Sequence, residues 1–211
     1  MTLLTFNDML QEIQRDENIE PIQNLVSDWI DANILIIQNE FQDAWSEAKL
    51  ESKDIVLPGG ITNQSRGTKL WKEVEPLLAE KMNNLSFDKC KKSGYPDRQL
   101  VHQNGQKYAF EQKAHSKWEI TDGNRIVICS STDRLRSTFR EPIFHIWATL
   151  YHSVRNSETN TICQIHALDL HFIEPTTIVN RRLEVSSSNK LLHESVENEY
   201  HTKIRYGSLN E

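Results

Sequence analysis

The chain has 211 residues, is 37% hydrophobic and 26% charged, and carries a formal net charge of -6. That length suits one globular domain (1–211) with a sizeable core, and no stretch is apolar or long enough for a membrane span. The start, MTLLTFNDMLQEIQRDENIE, has no basic leader, so the protein is expected in the cytosol with no membrane partner.

Cys90, Cys129 and Cys163 are odd in number and widely spaced, and no CxxC or HExxH pair offers a zinc ligand set, so they read as reduced thiols. The acidity is uneven: residues 1–60 hold 12 Asp/Glu against 3 Lys/Arg, a balance of -9, which leaves +3 for the rest. An acidic segment on a mildly basic body suits a protein that meets phosphate with one face.

Residues 1–84 form a mainly helical region. A short helix is expected near Asp8–Arg15. A long one follows Pro21, with Ile22, Leu25, Val26, Trp29, Ile30, Ile34, Ile37, Phe41 and Trp45 at three- and four-residue steps. Ser52 to Arg66 reads as a Gly- and Asn-bearing surface loop. Helical spacing resumes at Leu70, Trp71, Val74, Leu77, Leu78 and Met82, kinked or restarted at Pro76.

A sheet core is expected over about 85–175. LVH, KYAFEQK and IVIC are β-branched and aromatic runs between turn signals at Asn104-Gly105 and Asp122-Gly123. Thr132 can cap a helix through about Arg155, whose Leu135, Phe139, Ile143, Ile146, Trp147, Leu150 and Val154 keep helical spacing. TICQIHALDLHFI then adds one or two strands, and the polar region 176–211 has weak helical character around Lys190–Tyr200. The fold class is α/β: a central mixed β-sheet flanked by helices.

The chemistry sits in YPD and KYAFEQK. Glu111 and Lys113 are two apart on a strand, so both side chains emerge on one face, with Tyr108, Phe110 and Gln112 on the other. Turn length decides whether Asp97 joins them. A two-residue Asn104-Gly105 loop would pair residue 97 with 112 and aim Asp97 to the wrong side. A three-residue loop, Gln103-Asn104-Gly105, with Gly105 left-handed, would pair His102 with Gln106 and Asp97 with Glu111, their Cβ atoms about 5 Å apart.

Two carboxylates and the backbone carbonyl of Gln112 suit Mg2+, which keeps several waters for a substrate phosphate to displace. Lys113 can act on the attacking water or stay charged and stabilise the phosphorus centre. The bland alternative is a solvent-facing Glu111–Lys113 pair on a half-buried strand.

GYPD, the fourteen-residue step from Asp97 to Glu111, and FEQK resemble the PD-(D/E)xK nucleases, and among them the small type II restriction endonucleases, over roughly residues 85–155. The resemblance implies a restriction-endonuclease-like fold, Mg2+ held by Asp97 and Glu111, water assistance from Lys113, and a homodimer that cuts both strands of double-stranded DNA at a short sequence. Candidate DNA contacts are Arg134, Arg136 and Arg140 near a helix start, Asn63, Gln64 and Arg66 in the 52–66 loop, and Lys117 and Lys69 on phosphate. His115 shares the Glu111 face, and Glu40 on the long helix has no spacing argument over Glu47. Other readings are a nuclease of DNA repair or structured DNA using the same triad, and a non-catalytic DNA-binding or interaction domain.

Overall fold

The structure, a computed structural model, describes residues 27–90, 96–116, 126–130, 145–173, 180–182, 189–193 and 202–209. Its first helix, α1 (Ser27–Glu47), buries Ile34, Ile37, Phe41, Ala44 and Trp45, the three- and four-residue stripe that the sequence spells. The second, α2 (Asn63–Ala79), starts at Thr62, whose hydroxyl accepts from the Ser65 N–H at 3.2 Å, and runs through Pro76. Both helices pack into one core cluster through Phe41, Leu70, Trp71, Val74 and Leu78.

They cover one face of a mixed sheet, seven-stranded among the described residues. Its strands are β1 (Asp54–Pro58), β2 (Leu85–Lys89), β3 (Arg98–His102), β4 (Lys107–His115), β6 (His145–Asn156), β7 (Asn160–Ile173) and β10 (Thr202–Gly207). The order is β1-β7-β6-β4-β3-β2, with β10 also paired to β7. Only β4 and β6 run parallel among these pairs. β5 (Ile126–Ser130), β8 (Asn180–Arg182) and β9 (Asn189–His193) form a separate antiparallel sheet, ordered β5-β9-β8.

Alternation along β4 assigns the faces. Tyr108 and Phe110 turn to the helices, where Phe110 stacks on Phe41 at 5.7 Å and meets the Trp71 ring edge-on at 6.1 Å. Glu111 and Lys113 turn to the opposite face with their register partners Trp147 and Thr149 of β6, and Asp169 of β7 lies across from Thr149. That face is also closed along the sheet's middle, where His145, Trp147 and Asp169 are at most 1% exposed.

Burial on both faces corrects the expected helix over 132–155. Residues 145–155 are strand β6, and 145–152 are buried without interruption, so the run shows no alternation and its apolar residues fall at helical spacing by default. Residues 132–144 lie outside the described residues, as does the segment near Asp8–Arg15. The 52–66 loop is also corrected. DIVLP forms β1, an edge strand with alternating burial, and Asn63 and Arg66 belong to the first turns of α2. Of the weak helix expected around Lys190–Tyr200, residues 190–193 are strand (Asn189–His193) and 194–200 lie outside the described residues, while β10 brings residues 202–207 into the main sheet.

The placement of β10 rests on Gly207. Its φ is +79°, and a Cβ there would collide with the His166 carbonyl, beside the register shift of β7, and come within 3.0 Å of the Trp45 ring. Gly207→Ala is therefore expected to cost about 1–3 kcal/mol from the left-handed backbone alone, with the collision adding to it. Gly60→Ala, at φ +71° with open space around it, is expected to cost less, and urea midpoints of the two variants compare them directly.

Candidate functional site

The site begins at a turn. The Gly105 N–H donates to the His102 carbonyl at 2.8 Å, Gly105 is left-handed at φ +88°, and the His102 N–H donates to the Gln106 carbonyl at 2.8 Å. This is the three-residue loop with a bulge, and the ladder pairs Val101 with Lys107, Leu100 with Tyr108 and Arg98 with Phe110. One step on, Asp97 stands opposite Glu111.

His102 and Gln106 make a hydrogen-bonded pair, so every second pair along the ladder is of that kind, and Gln112 turns its N–H and C=O toward the same edge. β3 has ended there. The Gln112 N–H instead meets Asp97 Oδ2 at 2.9 Å, and the Asp97 N–H donates to Glu111 Oε2 at 3.2 Å. Each acid is thus bonded to backbone at or beside the other, and the Gln112 carbonyl points into the same gap.

Glu111 is only 7% exposed, so it does not face solvent as the bland alternative had it, although Lys113 is partly exposed; its Oε1 accepts from Lys113 Nζ at 2.5 Å. Burial pushes its carboxyl above the usual carboxylate range; the Lys113 charge pulls it back and the Asp97 charge adds to the rise. Asp97 is exposed. The arrangement is a half-neutralised pair of acids, one dry and one wet, with a single ammonium beside them.

Beyond the last β3 pair, β4 and α2 line a cleft of about 480 Å³, bounded by Thr68, Trp71, Lys72, Asp97, Arg98 and Lys113 among others. α2 runs close to β4 here, and a Cβ at Gly67 would make only ordinary contact with the Ala114 side chain at 3.5 Å. Trp71 Nε1 donates to the Lys113 carbonyl at 2.8 Å. His115 also lines the cleft, and burial together with the Lys113 charge holds its imidazole below the usual histidine range.

Sequence reasoning passed over Glu75, Arg98 and Lys72. Glu75, on α2, accepts from Arg98 Nε at 3.0 Å and from Gln112 Nε2 at 2.7 Å, and Arg98 Nη1 donates to the Asp97 carbonyl at 2.9 Å. The only signal was the four-residue step from Trp71, which places both side chains on one face of α2. Glu40 belongs elsewhere. It binds the Asn83 and Asn84 N–H groups at 2.8 and 3.1 Å; burial opposes its charge, but these bonds and the Asn84 side chain lower its carboxyl.

Of the expected DNA contacts, Arg66 lies in α2 with Nη2 at 3.3 Å from the Ser116 hydroxyl at the end of β4, near the cleft. The side chains of Asn63 and Gln64, and Lys117, Arg134, Arg136 and Arg140 entirely, lie outside the described residues.

Among the described residues no three His, Cys, Asp or Glu side chains converge as a metal cage. Two carboxylates plus one carbonyl instead match a hard, largely hydrated cation, and the buried Glu111 charge is the feature that such an ion would relieve. No family model and no curated protein matches the chain. Among solved structures, the restriction endonuclease BglI bound to its DNA recognition sequence aligns over 94% of this chain and 95% of that one, with a TM-score of 0.40 and 11% identity. A likeness at that level decides neither the fold nor the activity of this chain. Among the described residues no helix is long and apolar enough to cross a membrane.

A raised folded-state carboxyl favours the fold while protonated, and that contribution is lost as pH rises through the folded value. Without divalent ions, Glu111→Gln is therefore expected to gain stability relative to the parent between pH 5 and pH 8, in the sense that its urea midpoint falls less. An equal difference at both pH values would contradict the burial of an ionising Glu111.

Proposed function

We propose that this chain is a Mg2+-dependent endonuclease of the type II restriction class, with a restriction-endonuclease-like fold, acting as a homodimer on double-stranded DNA. The observation that carries the reading is Asp97 standing across the ladder from a buried Glu111, itself ion-paired to Lys113, at the mouth of a cleft. The resemblance of YPD and FEQK to the PD-(D/E)xK nucleases supports it independently.

Asp97, Glu111 and the Gln112 carbonyl would hold the ion, which when bound offsets charge on phosphoryl oxygens and lowers the pKa of water. Lys113 stands 2.5 Å from Glu111 Oε1, with its main chain fixed by Trp71. From there its ammonium donates to a phosphoryl oxygen, or its neutral amine takes the proton of the attacking water. Water oxygen bonds to phosphorus as its proton passes to neutral Lys113 or to solvent, the bond to the 3′ oxygen breaks as that oxygen takes a proton from solvent water, and the products are a 5′-phosphate and a 3′-hydroxyl.

The cleft of about 480 Å³ admits a backbone phosphate but not a duplex, so DNA lies across its mouth, with Lys72 and Arg98 beside the entering phosphate. A palindromic site has two-fold symmetry, which two copies of the chain match.

Purified full-length chain with plasmid or phage DNA and Mg2+ is expected to give discrete fragments, and Asp97→Ala or Lys113→Ala to slow cleavage by roughly 10²-fold or more. A smear, or nicks only at junctions, would remove sequence specificity. DNA binding without cleavage at any Mg2+ concentration would remove the enzyme reading.

A further inference from the structure

Glu75 sits at a junction that the cation site alone does not explain. Its one carboxylate accepts from Arg98, the residue after Asp97, and from Gln112, the residue after Glu111. Arg98 Nε lies 2.8 Å from the second Glu75 oxygen as well, and the pair is largely sheltered, with side-chain exposures of 21% and 16%. Arg98 then passes Nη1 to the Asp97 carbonyl at 2.9 Å, while the Gln112 N–H holds Asp97 Oδ2 at 2.9 Å.

Side chains alternate across a strand, so Gln112 reaches Glu75 on the helix side while Glu111 projects from the opposite face. Glu75 is thereby kept from sharing an ion with Glu111. What it does hold is the Arg98 and Gln112 side chains on the two sides of the gap, and Arg98 in turn grips the Asp97 carbonyl where β3 has no further ladder bond to fix Asp97. Trp71, one helical turn earlier, grips the Lys113 carbonyl at 2.8 Å, so the same face of α2 pins three points of the hairpin end.

We propose that Glu75 is a positioning residue: through Arg98 and Gln112 it sets the separation of Asp97 from Glu111, and so the affinity of the pair for a divalent cation. The inference rests on the cation-binding reading of that pair and deepens it. Ordering of ligating carboxylates by partners behind them is commonly worth about 10-fold or more in metal affinity.

Charge supplies the discriminating test. Removing the Glu75 charge would weaken cation binding by electrostatics alone, so that variant cannot separate the explanations. Removing the Arg98 cation would by electrostatics alone tighten binding, whereas loss of positioning weakens it.

Mn2+ binding to the full-length chain, measured by calorimetry without DNA, is therefore compared for the parent, Asp97→Ala, Arg98→Met and Gln112→Met. The expected result is Mn2+ binding by the parent, none by Asp97→Ala, and roughly tenfold weaker binding by Arg98→Met. Gln112→Met changes no charge and is expected to weaken binding too, which keeps the test intact if Arg98→Met does not fold. Arg98→Met or Gln112→Met, folded and binding Mn2+ as tightly as the parent or tighter, overturns the role of Glu75 and leaves the cation site standing. A parent chain that binds no Mn2+ overturns both.

Discussion

In a β-hairpin the number of residues in the turn fixes which side chains face each other, and a slip of one residue sends each of them to the opposite face. Here the left-handed Gly105 closes a three-residue loop, and Asp97 meets Glu111 eight positions back from Gly105. A loop one residue shorter would leave the acids on opposite faces with the same sequence. The electrostatics of the site, the cleft and the hold of α2 all presuppose that register.

Given the register, the energetics run against the site when it stands alone. An almost fully buried carboxylate beside a second one is costly, and one lysine, itself about a third exposed, compensates only in part. Such strain is common where charge is held ready for a ligand. The surrounding fold is well placed to bear it. The Phe41, Phe87 and Phe110 rings and the Trp71 edge lock the helix face of β4, while the parallel partner β6 is buried on both faces. A second ion pair, exposed Arg205 with the fully buried Asp169 at 2.6 Å, ties β10 to β7 on the same face as Glu111.

Much of this geometry was written locally. The stripe from Ile34 to Trp45, the Leu70–Leu78 helix, the Asn104-Gly105 signal and the two-residue step from Glu111 to Lys113 each encode their structure within a few positions. β6 was illegible because a strand buried on both faces loses its alternation, and its Ile146, Trp147 and Leu150 then fit a helix equally well. β1 was hidden by its shortness and by the Gly-Gly after it, and β10 by a polar segment whose inward residues, Ile204 and Tyr206, are only two apart. Beyond its four-residue step from Trp71, Glu75 carries no mark that separates it from Glu73 or Glu80; the fold brings it to Arg98 and Gln112.

Two acids from adjacent strands are proposed to share one cation, and anomalous diffraction from crystals of the chain grown with Mn2+ locates such an ion. A peak is expected at ligand distance from carboxylate oxygens of both Asp97 and Glu111, with the Gln112 carbonyl on the same ion. A peak bound to one acid alone or lying elsewhere, or Asp97 turned to the helix side of the hairpin, would contradict the proposal.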